Sequence, residues 1–141
     1  MDTIIAYIDA HYTIAVTKYT KIFKYSDDTP FRGWMYPRSV GLRQLDTSHS
    51  LLTFDGNSDD TNDTMIELKV CSKTKPSGGS YDDHAVEMFN EVIKQIRALA
   101  KTSNISSEAY LQLTTETTER FRYKCVVTAT LWLTKRGANH A

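Results

Sequence analysis

The stretch from Phe54 to Thr64, FDGNSDDTNDT, sets four aspartates and two asparagines within eleven residues. That density of hard oxygen ligands suits calcium, which binds carboxylates, carbonyls and water. A calcium loop of the helix–loop–helix kind orders its ligands D-x-[DN]-x-[DN]-G and closes with a bidentate glutamate at its twelfth position. Counted from Asp55, Asn57 and Asp59 fall on ligand positions. The sixth residue, however, is Asp60 where glycine is required, and the twelfth is Ile66. Glu67 arrives one residue late. No metal site is therefore assigned. The stretch reads as a solvated loop of turn-forming residues, with an irregular oxygen cage for a hard cation as the alternative.

Other chemistry is tested in the same way. The histidines are His11, His49, His84 and His140. None adjoins a cysteine or a serine in a G-x-S-x-G elbow, and no HExxH pair occurs. Paired carboxylates could exchange protons, but composition does not locate a pair. KPSGGS (75–80) sits before a helix start, where anions bind, yet Asp82 and Asp83 there have the wrong charge to attract phosphate. No catalytic residue and no cofactor are assigned. Cys71 and Cys125 are too few for a disulfide scaffold and read as reduced, partly buried thiols. Arg120, Arg122 and Lys124 alternate, and Trp132 shares their parity. The row suits an acidic surface or a DNA backbone; the competing reading is a solvated strand face guarded by charge. Tryptophan beside arginine is enriched at protein interfaces, which favours a protein contact.

The elements that must position these residues follow from period. Ile4, Ile5, Ile8, Tyr12, Ala15, Val16, Tyr19, Ile22 and Phe23 share an arc of about 120° at helical spacing. This predicts a helix from Asp2, an N-cap, towards Tyr25. The alternative ends the helix near Ala10 and makes the rest strand, as its β-branched and aromatic residues prefer. Residues 31–45 are ambiguous: Trp34 and Tyr36 suit one strand face and Val40 and Leu42 another, with Pro37 confining any strand there to an edge or a bend. SLLTF (50–54) and MIELKVC (65–71) read as two arms of a hairpin, the second alternating cleanly. Ser80 caps a helix to about Ser103, with Ala85, Phe89, Val92, Ile93, Ile96, Leu99 and Ala100 as its apolar stripe. AYLQLTTE and residues 120–134 close the chain as a long hairpin. Fifteen residues of strand reach roughly 45–50 Å, more than one small core covers, so part projects or completes a neighbour's sheet.

The bulk numbers agree with this outline. A chain of 141 residues makes one domain, 1–141, with a frayed tail from about residue 136. The expected fold class is α+β: an antiparallel sheet with long hairpins packed against a central amphipathic helix and an N-terminal helix. Seventeen basic residues balance seventeen acidic ones, so no global charge draws the chain to nucleic acid. Zero net charge also gives little protection against self-association. No signal peptide and no membrane-length apolar run are visible, which predicts a cytosolic origin.

This order of elements resembles the tail terminator proteins of long-tailed bacteriophages, and related minor tail and head–tail joining proteins of the same fold. The matching pieces are DTIIAYIDAHY, SLLTF…MIELKVCSK, DDHAVEMFNEVIKQIRALA and YLQLTTETTERFRYKCVVTATLWLTK, which together cover most of the chain. The resemblance implies a hexameric ring that caps the finished tail tube, stops its growth and docks onto the neck of the head. Its partners would be copies of itself, the tail tube protein and a head-completion or neck protein. DNA would pass through the lumen only as cargo. No membrane and no catalytic residue are implied. The place would be the tail–neck region of the virion, after assembly in the host cytoplasm. A longer first helix and an extended connection over 26–49 depart from the shorter family members, which leaves the first strand unplaced. The adhesive residues expected on this reading are Arg120, Arg122, Lys124 and Trp132 on one copy against Asp55, Asp59, Asp60 and Asp63 on the next, because unlike patches paired head to tail can close a ring. The alternatives are another minor tail, neck or tube protein of the same fold, or a small α+β ligand-binding module or enzyme with a pocket between helix and sheet.

Overall fold

Helix α2 (Tyr81–Thr102) is the element the rest of the chain is built on. Asp83, three residues after Ser80, accepts a hydrogen bond from the Ser80 backbone N–H at 3.0 Å, and the Ser80 hydroxyl turns to Asp82. This is one half of a capping box, and it fixes where the helix begins. Gly78, at φ +78°, supplies the left-handed residue of the preceding turn, which the Gly79 N–H closes onto the Pro76 carbonyl at 2.9 Å. The inner face of the helix buries Ala85, Met88, Phe89, Val92, Ile93 and Ile96.

The computed structural model describes residues 2–51, 60–102 and 110–136. Five strands form one sheet: β1 (Lys21–Lys24), β2 (Arg38–Leu51), β3 (Asp60–Ser72), β4 (Tyr110–Arg120) and β5 (Cys125–Arg136). Their order is β1-β2-β3-β5-β4. Every pairing is antiparallel except β1 with β2, which run parallel. The fold is thus α+β with a mixed, mostly antiparallel sheet. Bulges interrupt β2 between Gln44 and Asp46 and β4 between Leu113 and Thr115. Val40, Leu42, Ile66, Leu68, Val70, Val127, Ala129 and Leu131 point from the sheet to its helical side and are fully buried. Each such Val, Leu or Ile stabilises the fold by roughly 1.5–3 kcal/mol. A second, smaller cluster lies on the other face of the sheet, where Tyr25, Phe31 and Cys71 are buried and Phe23 and Val126 pack beside them.

The first helix is shorter than its periodicity predicts. Helix α1 (Asp2–His11) ends after ten residues, a 3-10 turn follows at Ala15–Thr17, and β1 begins at Lys21. The helical arc fails at Val16, which is 71% exposed. Beyond it a strand partner outweighs the period. The Thr20 N–H donates to the Arg38 carbonyl at 2.8 Å, the Tyr25 N–H to Leu42 at 3.0 Å, and Arg38 Nε to the Lys18 carbonyl at 2.8 Å. The alternative that ended the helix near Ala10 matches its observed end, but of the remainder only Lys21–Lys24 is strand. Ile4 and Ile8 dock α1 onto α2. The chain leaving α1 is held there by Glu91, whose carboxylate accepts from the Thr13 N–H at 3.0 Å and the Thr13 hydroxyl at 2.9 Å.

Three strand boundaries also move. β2 starts at Arg38, directly after Pro37, while Trp34 sits in a 3-10 turn (Gly33–Met35) rather than on a strand. β3 starts at Asp60, so Asp60 and Asp63 belong to a strand and not to the loop. The closing hairpin turns later than its pattern suggests. Arg120 ends β4 opposite Cys125, and the Phe121 N–H donates to the Lys124 carbonyl at 2.9 Å across the turn. Arg120 and Cys125 face the same side although they stand five residues apart, so the turn reverses the odd–even parity that one unbroken alternation implies.

Candidate interaction surface

Among the described residues no group of three or more His, Cys, Asp or Glu side chains could hold a metal ion. Asp55 and Asp59 lie outside the described residues, and Asp60 and Asp63 are placed by their strand backbone alone. His11 stacks on Tyr7 and bonds its carbonyl at 2.9 Å. His84 is buried, its Nδ1 2.8 Å from the Thr74 hydroxyl. A hydroxyl beside an imidazole is the start of a nucleophile–base pair. Here, however, Thr74 is also held by Arg38 Nη1 at 3.2 Å and by Ser72, so the group clasps the end of β3 to α2. The Ser80 N–H, just ahead of α2, is taken by the Asp83 carboxylate, which puts negative charge where the KPSGGS turn would have to receive an anion. Cys71 and Cys125 are free and buried, and burial pushes both thiols above their ordinary pKa.

The basic row divides. Arg120 leans to the helix side and pairs with Asp82, Nε to Oδ2, at 3.1 Å. Asp82 is held below the usual carboxylate range first by the Ser80 hydroxyl and then by Arg120. Arg122 and Lys124 lie in the turn, not on a strand. Trp132 stands across from Met65 and Gln112, eight residues beyond Lys124 and so about 25 Å along the sheet. The four residues therefore do not make one surface.

Lys124 instead joins a group the sequence did not single out. Its ammonium lies 4.9 Å from the centroid of Phe121 and 5.8 Å from that of Trp34. Between these rings opens a cleft of about 180 Å³, floored by Phe31, Cys71 and Val126 and edged by Lys69 and Glu119. Trp34 and Phe121 are each 47% exposed, Met35 63% and Tyr123 65%. Scattered apolar residues need no explanation, but a contiguous aromatic patch does. The Lys73 ammonium donates to the Trp34 carbonyl at 2.9 Å, which steadies the 3-10 turn that carries the tryptophan. Phe31 can lie flat on the sheet because β2 has glycine beneath it: a Cβ on Gly41 would stand 2.6 Å from the Phe31 ring. The density of aromatics in FRGWMY was the available signal. It was masked because the segment also reads as a strand.

On the far side of the molecule, the outer face of α2 carries a groove of about 670 Å³. Val86 and Ile14 are its apolar members, and Asp82, Asp83 and Glu87 give it negative charge against Lys94. A third opening, about 570 Å³, lies beside β1 where Lys24 pairs with Asp2 at 2.9 Å. None of the three lies between α2 and the sheet, where the buried side chains of the core meet.

No family model matches the sequence, and no curated protein matches it. Among solved structures the chain is similar to the sheath/tube terminator of an extracellular contractile injection system, PVC, in its extended state. The superposition has a TM-score of 0.47 at 12% identity and covers 99% of this chain. The chain spans 57% of that protein's length.

Proposed function

We propose that this chain is a structural subunit of the tail-terminator kind, which assembles with copies of itself into a ring that caps a tail tube and joins it to a head or neck protein. It works by contact and not by catalysis. The tail-tube protein and a neck-completion protein are its further partners, and DNA meets the ring only in transit. Six copies is the stoichiometry that the resemblance in element order implies. Its place is the tail–neck region of a virion, after assembly in the host cytoplasm. No helix among the described residues is long and apolar enough to cross a membrane.

The observation that carries this reading is a sheet larger than its helical cover. β3, at thirteen residues, reaches roughly 43 Å, whereas α2, at twenty-two, reaches roughly 33 Å. Among the described residues the two α-helices cover one face alone. On the other, beyond the small Phe31 cluster, Thr115 and Thr117 are exposed and Thr128 and Thr130 half-buried. A subunit with that much open sheet has surface to offer to neighbours. Sedimentation across a concentration range, with electron microscopy of the protein mixed with tail tubes, tests the reading. Rings seated on tube ends are expected. A strict monomer that leaves the tubes bare would end it.

A further inference from the structure

The aromatic cleft and the acidic groove lie on opposite sides of one subunit. The cleft opens on the sheet face away from α2, and the groove lies on the face of α2 away from the sheet. We propose that they are the two halves of one contact, in which the outer face of α2 from a second copy of this chain seats on the cleft, with Val86 entering between Trp34 and Phe121. The inference rests on the self-assembling reading above and names the surfaces that carry it.

Charge around an apolar centre selects that occupant. Val86 is 37% exposed on an otherwise polar helix face, and Asp83 and Glu87 flank it. The cleft has room for its isopropyl group, and its walls are rings. Around the cleft stand Lys69, Lys73 and Lys124 against Glu119. Around Val86 stand Asp82, Asp83 and Glu87 against Lys94. The excess is positive on one side and negative on the other, so docking brings unlike charge together around an apolar centre, the arrangement of a specific interface. Because Arg120 already neutralises Asp82 within the chain, Asp83 and Glu87 are the carboxylates left to meet Lys124. Each subunit gives its helix to one neighbour and receives the helix of another. Such a heterologous contact propagates into a ring or a filament rather than stopping at a two-fold dimer. With no net charge on the chain, no long-range repulsion opposes it.

The experiment mixes two full-length variants, Val86→Cys and Phe121→Cys, under mild oxidation, with mass mapping of the linked peptides. Both positions are exposed, and circular dichroism checks that each variant folds. A link between residue 86 of one chain and residue 121 of another is expected. Links between residue 86 of two chains, or wild-type oligomers with no 86–121 link, would overturn this contact and leave ring assembly standing. A wild-type monomer with no link would remove both. In parallel, Lys124→Glu should raise the concentration needed for assembly by about tenfold or more, and Glu87→Lys added to the same chain should restore it. Assembly unchanged by Lys124→Glu would also refute the pairing.

Discussion

Replacing Glu91 should loosen the N-terminal third of the chain, and the structure gives the size of the effect. Glu91 is 4% exposed, yet its carboxylate accepts hydrogen bonds from the Thr13 N–H, the Thr13 hydroxyl and the Gln95 side-chain amide, at 3.0, 2.9 and 2.8 Å. Lys94 adds an ammonium at 3.9 Å, but from an exposed side chain, so it contributes little. Burial alone would raise the carboxyl pKa; the bonds from Gln95 and Thr13 together outweigh it and hold the group below its ordinary value of 4.5. Hydrogen bonds to a charged group contribute about 1.5–3 kcal/mol each when intact. Thr13 is exposed, so water replaces part of its share, whereas Gln95 is buried and would be left unpaired. Glu91→Ala should therefore cost about 3 kcal/mol in total. At about 2.1 cal/mol/K of unfolding entropy per residue, a chain of 141 residues loses roughly 10 °C of melting temperature. Glu91→Gln keeps the shape and loses the charge, and should cost roughly half as much. The sign with pH follows from the depressed carboxyl. On acidification the unfolded chain takes up the proton first, so the contribution of Glu91 is complete above pH 4.5 and is lost as pH falls towards the lower, folded value. Urea melts of wild type and Glu91→Gln at pH 7, 5 and 3.5 make the assay. The gap between them should be open at neutral pH and close in acid. A gap that is absent at pH 7, or constant down to pH 3.5, would refute the argument that the ionised carboxylate holds the connection.

Three further outcomes are expected. Gly41→Ala places a Cβ 2.6 Å from the Phe31 ring and should destabilise the chain by about 1–3 kcal/mol, read as a lower urea midpoint with an altered near-ultraviolet aromatic signal. Cys71 and Cys125, at 0% and 1% exposure with thiols raised by burial, should resist a thiol reagent in the native protein and both react in denaturant; fast native labelling would contradict their placement. Burial pushes the Tyr12 phenol up to about 12, and Tyr19 and Tyr25 are raised further, each by burial first and then by its bond to Asp9 or Glu67. A raised acid stabilises the fold below its unfolded pKa of about 10 and loses that contribution as pH climbs through the folded value, so urea midpoints should fall between pH 9 and pH 11.5, and equal midpoints would count against all three assignments.

The elements legible in the sequence are those whose pattern has one structural cause. α2 reads directly, because its stripe from Ala85 to Ala100 faces a single sheet and its polar face lies opposite. The alternation of β3 reads for the same reason, with Ile66, Leu68 and Val70 all turned to that helix. The misread segments are those in which one pattern serves two structures. Tyr12 and Tyr19 both meet the core, so a helical arc drawn through them fits, although a 3-10 turn and a change of direction separate them. Their rings in fact meet edge to face at 5.4 Å, a tertiary contact that happens to have helical spacing. Only the partner strand β2, distant in sequence, decides the matter for Lys21–Lys24.

The candidate site fails to show in the sequence for a different reason. Its parts are Phe31 and Trp34, Lys69 and Cys71, and Phe121 and Lys124, three short pieces separated by some thirty to fifty residues. No spacing rule links them. They meet because β2, β3 and β5 lie side by side, with Ser39, Cys71 and Val126 in one row across the sheet. The 3-10 turn before β2 and the turn before β5 then stand over the same end of the sheet. The sequence does hold one sign of this, a basic residue beside aromatics in both turns, FRGWMY and RFRYK. Read as strand faces, those motifs give no reason for the rings of one to meet the rings of the other. Read as turns, they gather them. Moving Arg120 into β4 thus does more than correct a boundary. It withdraws Arg120 to Asp82 on the helix side, leaves Lys124 with Trp34 and Phe121 on the other, and so separates the charges that a single row had joined. That separation gives the chain two unlike faces, which the proposed head-to-tail contact would require and a uniformly basic strand would not supply.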